Sequence, residues 1–538
     1  MAIRQRFCGG FFNSGGYYLN IIQGNFMALV TIRDLVTKQA AAFPKKAAII
    51  FEGQIVSFGE LKDKVFRLAN NLAALGIKKG DKVALYLPNW PEYIYSYLAL
   101  FSIGATVVPF DFMLKNDELE ACLNHSDSVL LIAKSRPDVS LENIKTHVPK
   151  LTNILLVRER KEGYLVFEDF IGRGSCEAPS AAIRESDPAL ILYTSGSTGR
   201  PKGVLLNYRH LCAAPEAMEF FVDLTAADVK LSALPLSHGG GLVYLQNCIF
   251  YGITLVLMER FIPVEYLKNI EKYKVTCFHM VPSMYYALLH LKEFEKYDLS
   301  SIRWVNIFGA PNSPDAIRRF KTYCPNAKLL NGWGLTETNA PNIVTPMGSE
   351  KIESIGRPAP WISVRLVDDD DRDVGEGEIG EIVLKSWVVM DGYYKDAAMT
   401  TEVLRDGWFH TGDLGRRDQE GMYYIAGRKK DMVKVSGQIV FPAEIEEAIH
   451  KHPSVAEVGV IGVSDTLRGE TLKAFVVLKT GASLTDQDIK QFCRQHLAHF
   501  KVPHAVAFIE ALPKTRTGKI DKVALKQNNN NVTPRVNS

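Results

Sequence analysis

The eleven residues Tyr193–Gly203, YTSGSTGRPKG, gather four small hydroxyl side chains (Thr194, Ser195, Ser197 and Thr198), three glycines (Gly196, Gly199 and Gly203) and one lysine, Lys202. Glycines let backbone N–H groups approach an anion, hydroxyls add donors and a lysine adds charge, so the composition suits a polyphosphate. The loop is not of the G-x-x-x-x-G-K-[ST] type, because Pro201 stands where the second glycine belongs and Gly203 follows the lysine. Nor does a helix open after it, since the following VLL reads as a strand. A surface turn between two strands is the plainer alternative, and eleven residues of this bias ending in Pro-Lys-Gly weigh against it.

The chain that must position this loop has 538 residues, 47% hydrophobic and 23% charged, which suits a soluble globular protein of two to four domains. Its 63 basic and 60 acidic residues leave a net charge of +3, too small to point to nucleic acid. The eight cysteines (Cys8, Cys122, Cys176, Cys212, Cys248, Cys277, Cys324 and Cys493) show neither C-x-x-C nor metal-ligand spacing, so they read as reduced thiols of a cytoplasmic protein. No apolar run is long enough to span a bilayer. Residues 1–26 read as a disordered extension and 527–538, QNNNNVTPRVNS, as a disordered polar tail.

Between these ends, apolar strands alternate with helical stretches. VALYL, ATVVPFD, TLVLM, VTCFHM and WVNIFGA are strand-like, whereas PEYIYSYLALFSIG and PSMYYALLHLKEF are helical. Such alternation predicts an α/β fold of mostly parallel sheets covered by helices on both faces. Near residue 360 the texture changes to strands with Gly and Asp turns and no helices between them, predicting a small antiparallel, barrel-like region. From about Asp431 a compact unit of mixed helices and strands reads as a separate small domain. Motifs between such elements fall on loops, where open α/β sheets place their sites.

YTSGSTGRPKG resembles the signature loop of the adenylate-forming superfamily of acyl-CoA synthetases, nonribosomal peptide adenylation domains and firefly luciferases. NGWGLTET (331–338), HTGDL (410–414), GRKKDMVKVSGQIVFPAEIE (427–446) and PKTRTGK (513–519) resemble that family's further signatures, in the same order, and the likeness spans about Thr31 to Lys526. It implies a large N-terminal domain of two helix-covered sheets (27–427), a hinge at 428–431, and a small mobile α+β C-terminal domain (432–526). It also implies an ATP-dependent, AMP-forming acyl-CoA synthetase: a carboxylate attacks ATP to give an acyl-adenylate and pyrophosphate, and coenzyme A then takes the acyl group as a thioester.

The resemblance assigns roles by position. Thr194, Ser195, Gly196, Ser197, Thr198, Gly199 and Lys202 would hold the β- and γ-phosphates. Thr336 would meet the α-phosphate side and Glu337 would ligate Mg²⁺, although a Thr-Glu pair alone is more often a helix cap. Gly309, Ala310 and Pro311 would form the adenine wall beside Asn331, Gly332 and Trp333, the last stacking where relatives usually carry Tyr. Asp413 would accept the ribose hydroxyls, with Arg428 alongside. Lys519 would be delivered by the small domain to the α-phosphate and the acid's carboxylate. After rotation about the hinge at Lys430, the segment with Lys434, Ser436 and Gly437 would line the thiol tunnel.

For the acid, the segment PLSHGGGL (235–242) lacks the aspartate with which amino-acid-activating relatives hold an ammonium group. His238 falls where relatives carry the residue that adjusts between the two steps. Phe308 occupies a place usually held by glycine beside the acyl tunnel, so His238, Phe308 and Trp333 would border the acyl group. The family group suggests a medium- or long-chain fatty acid or related carboxylic acid, and Phe308 turns the expectation toward a medium-chain or aromatic acid. A stand-alone ligase loading a free acyl carrier protein and a non-catalytic nucleotide-binding relative stay open as alternatives, as do a homodimer and loose contact with a membrane surface.

Overall fold

The computed structural model describes residues 31–194, 202–309, 314–435, 438–465, 469–514 and 520–527. The expected extension at 1–26 lies outside them, as do Ser195, Gly196, Ser197, Thr198, Gly199, Ala310, Pro311, Ser436, Gly437 and Lys519.

Two large sheets dominate. One has nine strands, with Gln54–Ser57 at one edge and Arg357–Pro358 at the other. Its parallel centre runs through Ala47–Phe51, Thr254–Leu257, Val229–Ser232, Cys277–Met280, Trp304–Phe308 and Lys328–Leu335. The other has eight strands, parallel except where Lys202–Asn207 runs against Pro188–Thr194 and Gly392–Tyr393 runs against Lys202–Asn207. The expected helix cover is explained by alternation along Lys82–Tyr86. Val83 and Leu85 enter one hydrophobic core and Ala84 and Tyr86 another, so both faces of that strand are dry.

The predicted antiparallel region is a five-stranded sheet of Ser363–Val367, Gly380–Lys385, Leu404–Arg405, Trp408–Arg417 and Tyr423–Arg428. It is not free of helix as the sequence suggested, because Ala397–Val403 forms one, started by Asp396 accepting from the Met399 N–H. It joins the nine-stranded sheet through Gly356. The Tyr423 N–H donates to the Gly356 carbonyl at 2.8 Å, and the Ile355 N–H to the Tyr423 carbonyl at 2.9 Å.

The C-terminal unit is a five-stranded sheet with the helices Pro442–His450 and Asp486–His496 and its own hydrophobic core around Ile445, Val460, Leu472 and Ile489. Its last helix, Lys522–Gln527, runs through the residue where the sequence placed the start of the tail. Among the described residues no helix is long and apolar enough to cross a membrane, no three His, Cys, Asp or Glu side chains form a metal-binding group, and the seven described cysteines are free.

Gly356 has φ +96, and a Cβ there would lie 2.0 Å from both the carbon and the oxygen of the Val344 carbonyl. Backbone cannot give way as a flexible side chain does. Gly356→Ala is therefore expected to cost several kcal/mol, about 4 or more, seen as a thermal midpoint lowered by many degrees or as loss of soluble protein; an unchanged midpoint would contradict this junction.

Candidate active site

The motif YTSGSTGRPKG joins two antiparallel strands, Pro188–Thr194 and Lys202–Asn207. Tyr193 pairs with Gly203 and Thr194 with Lys202 across its two strands, so the first hydroxyl and the lysine of the motif face each other at the loop's base. Two contacts anchor that base: the Tyr193 hydroxyl lies 2.6 Å from His125 Nδ1, and the Tyr394 N–H donates to the Gly203 carbonyl at 2.7 Å. Gly203 is required there, since a Cβ would meet the Ile191 side chain at 2.9 Å.

Three elements then converge. Lys202 Nζ lies 5.3 Å from the centre of the Tyr393 ring, within cation–π range, and the Tyr393 hydroxyl donates to Glu337 Oε1 at 2.9 Å. The Glu337 carbonyl accepts from the Met390 N–H at 2.7 Å, which fixes the backbone as well. Burial and the neighbouring Glu337 carboxylate hold the Tyr393 phenol far above its usual pKa, so it remains a donor at every physiological pH. The Thr336–Thr338 segment is a single 3-10 turn whose Thr338 hydroxyl donates back to the Leu335 carbonyl. Thr336 and Glu337 thus sit in a turn rather than capping a long helix.

On the opposite flank, Asp413 on Trp408–Arg417 is only 5% exposed. Its Oδ1 lies 2.6 Å from Arg428 Nε, its cross-strand neighbour, and its Oδ2 accepts from the Trp333 indole N–H at 2.9 Å. Trp333 was expected as a flat stacking face that also borders the acyl group; its edge supplies a donor as well, which a tyrosine ring has no N–H to do. Gly412, φ +70, turns the chain so that its N–H reaches Glu381 Oε1 at 3.0 Å, and Glu381 also takes Lys429 Nζ at 3.1 Å. Asp413 and Glu381 are thereby tied to Arg428 and Lys429, the first residues of the expected hinge. Asn331 directs its amide N–H₂ to the Ser354 carbonyl at 3.0 Å, holding the turn beside Gly356.

The residues expected on the acyl side lie around the head of the helix Gly239–Tyr251. His238 is its N-cap in extended conformation, with Nδ1 3.0 Å from Ser237 Oγ. The run of glycines has a steric reason. A Cβ on Gly241 would fall 2.1 Å from the Pro235 carbonyl oxygen, and one on Gly240 would fall 2.9 Å from the Phe308 ring. Phe308 therefore lies against the bare start of this helix, packs on the main hydrophobic core and meets His279 edge-on at 5.9 Å between ring centres. Gly309, next to it, has φ +89.

Lys430 lies in the exposed turn Lys429–Asp431, immediately after Arg428. Lys434 belongs to the small sheet, its N–H donating to Glu470 Oε2 at 2.9 Å, and its exposed side chain makes no ion pair among the described residues. The structure thus brings Lys202 to Glu337, and Trp333 to Asp413 and Arg428, while Lys430 and Lys434 keep to the linker and the small domain. Sequence reasoning missed Tyr393, His125 and Glu381. The tyrosine pair in DGYY, between two recognised motifs, was a visible signal for the first; the other two carry none.

Residues 36–394 match the AMP-binding enzyme family, and residues 444–519 match the C-terminal domain of the same enzymes. The chain belongs to the AMP-binding enzyme family. Within it, the relatives identify an AMP-forming acyl-CoA synthetase. The chain is 34% identical to a long-chain-fatty-acid–CoA ligase of Bacillus subtilis, over 91% of this chain and 93% of that one. It is equally 34% identical to a feruloyl-CoA synthase of an Amycolatopsis species, over 90% and 96%. Among solved structures, an anthranilate CoA ligase in complex with anthranoyl-AMP superposes with a TM-score of 0.88 at 27% identity, covering 94% of this chain and 98% of the other. The fold expected from the motifs is that of these AMP-binding enzymes.

Trp333→Phe keeps the ring and removes the donor to a buried carboxylate. Hydrogen bonds to charged groups contribute about 1.5–3 kcal/mol, so this variant should lower the thermal midpoint by a few degrees, whereas an unchanged midpoint would show that the indole N–H does not hold Asp413.

Proposed function

We propose that this AMP-binding enzyme activates a medium-chain or aromatic carboxylic acid and passes it to coenzyme A. The observation that carries the choice of acid is Phe308. Its phenyl ring fills the space against Gly240 at the head of the glycine-rich helix, volume that a long acyl chain would need. Both curated ligases named above fit the family, one named for long-chain fatty acids and one for feruloyl-CoA, and Phe308 favours the aromatic or shorter class.

In this reading the acid's carboxylate oxygen attacks the α-phosphorus of ATP, the bond to the bridging oxygen breaks, and pyrophosphate leaves. The thiol sulfur of coenzyme A then attacks the acyl carbon and AMP departs with the carboxyl oxygen it gained. Negative charge accumulates on phosphate oxygens in the first step, so positioned donors and cations do most of the work. Lys202 and the hydroxyl and glycine residues of its motif hold the outer phosphates, Thr336 borders the α-phosphate, and Asp413 keeps lone pairs for the ribose hydroxyls while Arg428 and Trp333 hold it still. Lys519 arrives from the small domain for the first step. Lys434, Ser436 and Gly437 replace it for the second, after rotation about Lys430.

A divalent cation fits the residues present: Glu337 offers a carboxylate oriented by Tyr393, and Mg²⁺ commonly takes one or two protein carboxylates and completes its shell with phosphate and water oxygens. When bound, it neutralises charge on the phosphates.

Pyrophosphate release with ATP, Mg²⁺, coenzyme A and monocarboxylic acids from acetate to palmitate, with benzoates alongside, tests the acid. Octanoate or a benzoate should exceed palmitate in kcat/KM by about tenfold, and Phe308→Gly should shift the optimum to longer chains. Palmitate turned over faster than octanoate, with no change on Phe308→Gly, would overturn the assignment. Separately, Lys519→Ala should lower acid-dependent pyrophosphate release by about a hundredfold or more yet leave thioester formation from supplied acyl-adenylate nearly intact; equal losses in both would contradict its confinement to the first step.

A further inference from the structure

Behind Phe308, between the helix Gly239–Tyr251 and the face of the nine-stranded sheet it covers, lies a polar patch that a purely apolar acyl pocket does not need. Lys230 is 0% exposed in the middle of the strand Val229–Ser232. Its Nζ lies 3.0 Å from His279 Nε2 and 5.0 Å from the ring centres of both Tyr244 and Trp304. It makes no ion pair among the described residues. The neighbouring Asp228 is engaged elsewhere, with Arg303 at 2.6 Å and the Thr276 hydroxyl at 2.7 Å. A buried charge without a partner is costly, and burial lowers the Lys230 pKa to about 8.

The surroundings are also short of partners. Ser232 Oγ, both amide atoms of Asn247, Trp304 Nε1 and Asn306 Oδ1 are buried with no hydrogen bond. Ser232 shares the strand face of Lys230, Trp304 and Asn306 share that of Phe308, and Asn247 lies one turn along the helix from Tyr244. The Asn306 amide can be oriented by logic. A neutral imidazole has one acceptor nitrogen, and the Lys230 ammonium can only donate to it, so Nε2 accepts and Nδ1 carries the proton. The Asn306 atom 3.3 Å from Nδ1 is then its oxygen, and its N–H₂ turns to the opposite side, where Gly332 has no Cβ to fill the space; one would come within 2.8 Å of that amide atom. Besides Ser232 and Asn247, the unmet groups are thus donors, an amide N–H₂ and an indole N–H, beside an ammonium paired only with a neutral imidazole among the described residues.

Asn306 lies two residues below Phe308 on the same face, about 7 Å at the rise of a strand, and away from the strand end where Gly309 begins the nucleotide side. An acid whose carboxylate faces the nucleotide and whose slender chain passes the edge of the Phe308 ring would reach Asn306 and then Lys230 with its far end. We propose that the acid this enzyme activates carries a second carboxylate at the distal end of a medium-length chain or ring, received behind Phe308 by Lys230 and Asn306. This rests on the assignment of the Phe308 side as the acyl pocket. Lys230 and Asn306 here are specificity residues that touch the substrate far from the reacting carbon.

The test compares matched pairs, hexanoate with adipate and octanoate with suberate, by coenzyme A-dependent pyrophosphate release. For the intact enzyme kcat/KM for suberate should exceed that for octanoate at least tenfold, and Lys230→Met should lower the suberate-to-octanoate ratio at least thirtyfold. If Lys230→Met does not fold, Asn306→Ala should lower the same ratio. Octanoate used as well as or better than suberate by the intact enzyme overturns the proposal while leaving the ligase function standing. Absence of release with every mono- and diacid would remove the ligase function, and the proposal with it.

Discussion

One buried carboxylate holds the candidate active site together. Asp413 is almost wholly out of water, and an ionised carboxylate in that position is tolerable only while its oxygens are occupied. Two of its partners come from different parts of the chain: Trp333 from the nine-stranded sheet and Arg428 from the last strand before the linker. Satisfying this one charge therefore fixes how the antiparallel sheet docks on the large one. It also places the start of the linker. Glu381 repeats the arrangement one layer out, joining the Gly412 N–H to Lys429.

The residues expected on the phosphate side obey a similar rule with opposite sign. Lys202 faces the Tyr393 ring, and that ring's hydroxyl reaches Glu337, so cation, aromatic ring and carboxylate form a chain in which neither charge touches the other directly. A direct ion pair would occupy both charges. The intervening tyrosine keeps the lysine and the carboxylate near each other and available. Its own strand, Gly392–Tyr393, is two residues long and among the described residues pairs only with the strand that carries Lys202, so the lysine and its tyrosine partner are positioned by the same ladder.

Much of this was legible in the sequence because the chemistry is concentrated in short, ordered motifs. The alternation of strands and helices gave the layered α/β architecture, and the bias of YTSGSTGRPKG marked an anion loop before any likeness was considered. What stayed hidden depends on contacts between residues far apart. Nothing in HTGDL says that Asp413 meets an indole N–H eighty residues upstream, and Tyr393 falls between the recognised motifs. The helix Ala397–Val403 was missed because its seven residues are too few to show an amphipathic period. Lys230 and His279 did leave a trace, each a polar residue in an otherwise apolar strand, but a single such residue gives no hint of a partner one strand away.

The central claim is that the acid's own carboxylate oxygen attacks the α-phosphate of ATP. The most direct measurement is turnover of an acid labelled with oxygen-18 in its carboxylate, in the presence of coenzyme A, with the label followed by mass spectrometry. Adenylation predicts one labelled oxygen in AMP and none in inorganic phosphate or pyrophosphate. Label in inorganic phosphate, with ADP as the nucleotide product, would contradict it.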